Sequence, residues 1–215
     1  MMNLFEACNA IALARPANSV LVSTMGAMHG FDRHANEANL AADDPARASR
    51  LSSVPLMGGA AGLGLGLAMA HPDRNVIVVD GDASLLLELS GLVTVAMRQP
   101  KHYLHVVIKN GTQFTGLANL QAPHGQFNFA GAAANAGYGH VETISDLGQW
   151  QARLPALLAM TGPVFVELLV EPLPQRAGTG FVQEQMPDLQ FERMGKEALA
   201  LSRFLGASLT EGQAA

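Results

Sequence analysis

Short, uniformly apolar runs alternate along this chain with longer stretches of helical character. Residues 3–13 predict a short amphipathic helix, stopped near Arg15-Pro16 because proline disfavours helical backbone in the residue before it. Residues 19–23 (SVLVS) predict a strand, 25–34 a loop bearing Gly and His, 43–50 a polar exposed stretch, and 51–56 a second short strand. Residues 58–70 (GGAAGLGLGLAMA) are small and apolar and predict a buried helix. His71-Pro72-Asp73 then turns the chain into residues 75–80 (NVIVVD), a buried strand. Residues 85–97 predict a helix apolar nearly all round, suited to a core or a subunit interface. Residues 104–108 (LHVVI) form another strand, followed by a long loop. Beyond it come a helix (129–136), a strand (140–143), a helix (146–160) and a strand (164–170). A surface tail (175–190), a last helix (191–205) and a frayed end (206–215) complete the chain.

Strands without alternation, each followed by a helix, predict an α/β fold: a three-layer parallel sheet with helices on both faces. No compositional break divides the chain, so residues 1–215 are expected to form a single domain. Ligands of such sheets bind at the carboxyl ends of the strands. The residues that follow Ser23, Val79 and Ile108 are therefore the ones to examine.

Composition narrows the class. With 49% hydrophobic and 14% charged residues the chain can build a large core, and its formal net charge of −5 argues against a general nucleic-acid binder. The single cysteine, Cys8, excludes an internal disulfide framework and points to a reducing cytoplasm. No basic leader with a long apolar run opens the sequence. The apolar stretch 58–70 falls short of the roughly 20 residues needed to span a bilayer. No membrane association is expected.

Three segments combine chemistry with position. Asp80-Gly81-Asp82-Ala83-Ser84 leaves a buried strand at a helix start, where a carboxylate suits a hard cation and free N–H groups suit an anion. Lys109-Asn110-Gly111-Thr112 leaves the next strand with an amide oxygen and loop carbonyls that complement an octahedral Mg²⁺ site. Met57-Gly58-Gly59-Ala60 opens another helix, and its glycines let a ligand approach the backbone.

Gly81-Asp82-Ala83, an intervening stretch, then Asn110 flanked by Lys109 and Gly111 resembles the thiamine diphosphate motif, Gly-Asp-Gly followed by Asn-Asn. The surrounding sequence is similar to the diphosphate-binding (PP) domain of phosphonopyruvate and sulfopyruvate decarboxylases, the latter as their beta subunit. Similarity extends through residues 22–26 (VSTMG), Met57-Gly58, residues 162–167 (GPVFVE) and residues 196–199 (KEAL). The resemblance implies the thiamine-diphosphate-binding fold. It implies that Asp82, Asn110 and the carbonyl of Thr112 ligate Mg²⁺. It implies that Gly81, Ala83 and Ser84 cradle the diphosphate, that Gly58 and Gly59 lie near the cofactor, and that Met57 supports its bend. The carbonyl of Pro55 would accept from the pyrimidine amino group. The implied activity is decarboxylation of a 2-oxo acid to an aldehyde, with the cofactor as electron sink.

The sequence departs from the pattern in three places. Ala83 stands for the third Gly, Lys109 for the first Asn, and Gly26-Ala27-Met28-His29-Gly30 for a Thr-Ser-Arg-Glu run. His29 is the first candidate for substrate contact; His34 and His124 have weaker claims. A Lys beside Mg²⁺ must point away from it, which strand alternation allows. Full-length relatives carry a pyrimidine-binding domain that supplies a catalytic glutamate, so the resemblance implies a separate pyrimidine-binding partner subunit in a hetero-oligomer, a heterotetramer or larger. Isolated features have plainer readings: Asp82 as a helix cap, Asn110-Gly111 as a turn, Met57 as core, Gly62, Gly64 and Gly66 as close helix packing, and His102 with His105 on opposite strand faces. Competing functions are the beta subunit of a 2-oxo acid:ferredoxin oxidoreductase and a non-catalytic assembly or regulatory subunit.

Overall fold

The computed structural model describes residues 2–114, 119–121, 126–172 and 187–207. Its strands are β1 (Val20–Ser23), β2 (Arg50–Ser52), β3 (Val76–Gly81), β4 (His102–Lys109), β5 (Thr112–Phe114), β6 (Asn119–Gln121), β7 (His140–Ile144) and β8 (Gly162–Leu169). Six of them pair in one sheet, in the order β2-β1-β3-β4-β8-β7, and every pairing is parallel. The helices are α1 (Leu4–Ala14), α2 (Met25–Glu37), α3 (Pro45–Ala48), α4 (Ala60–Ala70), α5 (Asp82–Leu87), α6 (Gly91–Arg98), α7 (Phe129–Ala136), α8 (Leu147–Ala159) and α9 (Pro187–Phe204).

Strand alternation sorts the core into two clusters, one on each face. Ile77, Val79, Leu104, Val106, Ile108, Val164, Val166 and Leu168 point to the face covered by α1, α2 and α8, where Ile11, Phe31 and Trp150 are fully buried. Val76, Val78, Tyr103, Val107 and Phe165 point to the face covered by α4 to α7, against Ala61, Leu85, Val95 and Phe129. The result is the expected three-layer α/β architecture. Local signals hold at the helix ends: Asn3 and Glu6 form a capping box at α1, and Asp146 and Asn128 cap α8 and α7.

The structure corrects four expectations. Residues 25–34 are not a loop but most of α2. Their glycines mark close packing: a Cβ on Gly30 would lie 2.9 Å from both Cβ and Sγ of Cys8 on α1, and one on Gly26 would lie 3.1 Å from Leu4. The helix expected over 85–97 is two, α5 and α6, broken where Glu88 leaves helical geometry at φ −138°, ψ 53°. The polar stretch 43–50 holds α3 and ends in a buried residue, Arg50, which reaches Asp32 on α2 at 2.7 Å. The long loop after Asn110 contains an antiparallel hairpin, β5 with β6. Residues 173–186, most of the expected tail, lie outside the described residues, as do His124 and residues 208–215; residues 187–190 already belong to α9.

Candidate functional site

The central strands β3 and β4 deliver the two most informative loop tips to the same edge of the sheet. They run in register, with Gly81 beside Ile108, so Asp82 and Asn110 emerge from neighbouring strand ends. Asp82 is 1% exposed. Its Oδ1 accepts from the Ala83 N–H at 2.8 Å, and its Oδ2 accepts from the Gly111 N–H at 2.8 Å. That second bond crosses from one loop tip to the other. Gly111 makes it with φ +67°, a conformation that favours glycine. Asn110 Oδ1 accepts from both the N–H and the hydroxyl of Thr112, at 2.8 and 2.9 Å. Ala83 is not among the positive-φ residues, so its side chain in place of glycine costs no backbone strain.

A third segment closes on this pair. Ser53 to Gly59 is a run of turns joining β2 to α4. Within it the Gly58 N–H donates to Ser84 Oγ at 3.0 Å, which ties the turn to the first turn of α5. Gly58 has φ +87°, and a Cβ there would lie 2.8 Å from Cβ of Glu88, so both conformation and space demand glycine. Met57 stands 48% exposed beside this junction, which removes the reading of it as core. Pro55 and Gly59 are half-buried in the same turn.

His29 and His34 are placed differently from expectation. His29 lies half-buried in the second turn of α2, on a helix rather than a loop. His34 lies three turns along the same helix, where its Nδ1 meets Asn9 Oδ1 at 2.7 Å and it lines a small cavity with Arg15 and Arg50. Burial, then the charges of Arg15 and Arg50, hold its pKa below the ordinary histidine value. It faces the starts of β1 and β2, away from Asp82. Thr24, in the 22–26 segment (VSTMG), reaches the same strand edge as Asp82. It is nearly buried at the end of β1, and a Cβ on Gly81 would lie 3.6 Å from its Oγ1. Its position directly after a core strand was the available signal.

Lys109 points away from the Asp82–Gly111 contact. Its Nζ donates to Glu167 Oε1 at 2.8 Å and to the Phe127 carbonyl at 2.6 Å. Beneath the site lies a polar pocket that sequence reasoning did not assemble: Asp80 and His105 are both fully buried, with Oδ2 and Nε2 3.8 Å apart. His105 Nδ1 meets the Tyr138 hydroxyl at 3.1 Å. Burial, then the charge of Asp80, push the Tyr138 phenol upward, so it stays protonated at neutral pH.

The donor chemistry fits a hard divalent cation. Asp82 offers a buried carboxylate on one loop tip, Asn110 a side-chain amide oxygen on the other, and the two tips share the Gly111–Asp82 hydrogen bond. Among the described residues no group of three His, Cys, Asp or Glu side chains forms a metal cluster.

Comparison with known proteins identifies the family. The chain is 35% identical over 119 residues to the phosphonopyruvate decarboxylase of Streptomyces viridochromogenes, a match covering 55% of this chain and 30% of that protein. It is 38% identical over 117 residues to the sulfopyruvate decarboxylase subunit beta of Methanothermobacter thermautotrophicus, covering 54% of this chain and 59% of that subunit. The match thus spans less than two thirds of either relative. The fold resembles that of the thiamine diphosphate-dependent 4-hydroxybenzoylformate decarboxylase of Rhodococcus jostii, with a TM-score of 0.62 at 15% identity over 80% of this chain and 33% of that one. Residues 38–168 match the family described as thiamine pyrophosphate enzyme, C-terminal TPP binding domain. The stretch includes the Gly58 turn, Asp82 and Asn110, and thiamine pyrophosphate is another name for thiamine diphosphate. The chain therefore belongs to the thiamine pyrophosphate enzymes and carries their C-terminal cofactor-binding domain.

Proposed function

We propose that this chain is the diphosphate-binding subunit of a thiamine diphosphate-dependent 2-oxo acid decarboxylase acting on a sulfopyruvate- or phosphonopyruvate-like substrate. The carrying observation is the 2.8 Å bond from the Gly111 N–H to Asp82 Oδ2, which joins the two loop tips of the motif at one strand edge. Asp82, the amide oxygen of Asn110 and the carbonyl of Thr112 hold Mg²⁺. Gly81, Ala83 and Ser84 line the diphosphate, which would replace Asp80 and Asp82 as acceptors for the Gly81 and Ala83 N–H groups, while the Ser84 hydroxyl accepts from Gly58 and has its own O–H to donate. Gly58 and Gly59 keep the turn free of side chains, Met57 supports the bend of the cofactor, and the Pro55 carbonyl receives the pyrimidine amino group. His29, in the second turn of α2, is our candidate for substrate contact. The bound cofactor supplies an electron sink for loss of CO₂ from a 2-oxo acid. The protein supplies position, charge compensation and exclusion of water.

A second chain completes the site by bringing a pyrimidine-binding domain and its glutamate. Two observations support that partner. The matched relative from Methanothermobacter thermautotrophicus is itself called a subunit beta. Leu56, Met57 and Leu87 are 40%, 48% and 59% exposed on the Gly58 turn and on α5, next to the motif. Large apolar side chains there suit a covering subunit better than water. The compartment we assign is the cytoplasm. Cys8 is the single cysteine and is buried as a free thiol on α1, which suits a reducing compartment, and among the described residues no helix is long and apolar enough to cross a membrane.

Calorimetric titration of thiamine diphosphate with Mg²⁺, with and without the partner, tests the reading. Heat that appears with the wild type and vanishes with Asp82→Ala supports it. No heat under either condition favours the non-catalytic assembly role. Product analysis then separates the enzymes: an aldehyde identifies a decarboxylase, whereas acyl-CoA with reduced ferredoxin identifies an oxidoreductase.

A further inference from the structure

Lys109 occupies the place of the motif's first Asn, directly before Asn110. Its environment explains how the chain tolerates an ammonium there. Glu167 on β8 is the register partner of Val107 on β4, so Lys109, two residues further on, projects from the same face of the sheet. Lys109 Nζ donates to Glu167 Oε1 at 2.8 Å, with the two side chains 15% and 3% exposed. The other carboxylate oxygen of Glu167 accepts from the Ala130 N–H in the first turn of α7 at 3.2 Å and from the Thr143 hydroxyl on β7 at 3.4 Å. Lys109 also donates to the carbonyl of Phe127. The chain leaves the sheet at Lys109, forms the Asn110 tip and the β5–β6 hairpin, and returns at Phe127 to enter α7. One ammonium thus binds both the departure and the return of this excursion.

We propose that Lys109 and Glu167 are a matched positioning pair that fixes the Asn110–Thr112 tip opposite Asp82, in place of the motif's first Asn. The inference rests on the metal-site reading above. Two physical effects act together. Geometry comes first: the ammonium locks the root of the tip to β8 and to the start of α7, so Gly111 is presented to Asp82 without relying on an Asn side chain. Charge comes second. A lysine beside a metal ligand would compete with Mg²⁺ for Asp82, and Glu167 removes that competition by holding the positive charge on the far side of β4. Neither residue is then exchangeable alone. Glu167 without Lys109 is a buried unpaired carboxylate, and Lys109 without Glu167 is an uncompensated cation, held only by the Phe127 carbonyl, one residue from a proposed metal ligand.

The test compares the wild type with Glu167→Gln and with the double variant Lys109→Met/Glu167→Gln, which removes both charges while nearly conserving volume. Amide hydrogen exchange at Gly111 and Ala130, measured on the ligand-free chain, reads the positioning. Mg²⁺ titration in the presence of thiamine diphosphate and the partner reads its consequence. In the double variant, exchange at both amides should rise at least ~10-fold and Mg²⁺ affinity should fall about 10-fold, as for other residues that orient a metal ligand, while circular dichroism stays native. Glu167→Gln alone should bind Mg²⁺ more weakly than the double variant, because it frees the ammonium; if it does not fold, the double variant carries the comparison. Wild-type exchange and affinity in the double variant, or wild-type affinity in Glu167→Gln, would overturn the proposal. If even the wild type takes up neither Mg²⁺ nor cofactor, the metal reading falls, and the exchange of Gly111 and Ala130 decides by itself whether the pair positions the tip.

Discussion

The two strand ends that converge on the proposed cofactor site are held by opposite means. At the β3–β4 end, the restraints come from adjacent strands inside the sheet: Gly111 to Asp82, and Lys109 to Glu167. At the β1–β2 end, they come from the far end of the chain. β2 is a three-residue edge strand, and Glu197 on α9 accepts from its Ser52 N–H at 2.5 Å and from the Ser52 hydroxyl at 3.1 Å. Arg193, one turn before Glu197, donates to it at 2.8 Å and grips Asp32 of α2 with two bonds of 2.7 and 2.9 Å. Arg50 shares the same Asp32. A central strand finds hydrogen-bond partners on both sides, whereas an edge strand leaves N–H groups that something else must cover. Here a helix carboxylate takes that place, so the Ser53–Gly59 turn that follows β2 depends on α9 docking in a way that Asp82 does not.

Asp82→Ala should break the first end most completely. We expect Mg²⁺-dependent cofactor affinity to fall by more than ~100-fold, beyond the effect of outer residues, with the fold intact by circular dichroism. Lys109→Met alone should cost about 3–5 kcal/mol in denaturant unfolding, because it strands a buried carboxylate; an unchanged midpoint would place Glu167 in contact with water. Glu197→Ala acts on the second end. It should cost about 1–3 kcal/mol, since the Ser52 N–H is buried and loses its acceptor, and protease susceptibility should rise in α9 while Gly111 exchange stays unchanged. Equal loosening at both ends would erase the contrast.

Acid should separate the ends by the same logic. Burial raises the pKa of Asp32, but hydrogen bonds and charge from Arg193 and Arg50 outweigh it and hold the carboxyl below its ordinary value of 3.8. Its contribution is therefore present above that value and lost as pH falls through the lower, folded-state value. Release of α9 should steepen below about pH 4, and Asp32→Asn should remove that steepening when followed by exchange across α9. Met57→Ala should have the smallest structural effect, within about 0.5 kcal/mol of the wild type because the side chain is largely exposed. Its turnover should fall more than its cofactor affinity in steady-state assays against titration.

The sequence was most legible where one physical constraint dominated. Residues 75–80 and 104–108 are apolar because both faces of the sheet are covered, and they became β3 and β4. Residues 129–136 coincide with α7, bounded by the Asn128 cap and by Gly137 at φ +106°. Reading failed where one residue type serves two ends. Gly26 and Gly30 looked like loop punctuation, but they are the flat side on which α2 meets α1. Leu85 to Met97 looked continuous because periodicity says nothing of the contact between Glu88 and Gly58 that accompanies the break between α5 and α6. In the site, the spacing of Asp82 and Asn110 was visible as a motif. The partners Glu167 and Glu197 were not, because each acts across strands or helices far away in sequence.

By itself the chain order determined a parallel sheet with helices on both faces and two motif tips leaving its strands. Apolar runs, caps and turn residues act over a few neighbours and so can be read in one dimension. Only the tertiary structure decided which way Lys109 points, what seals β2, and that Gly111 rather than another donor meets Asp82. Those contacts join residues 29 to 145 positions apart, and register and sheet order, which local pattern does not encode, bring them together.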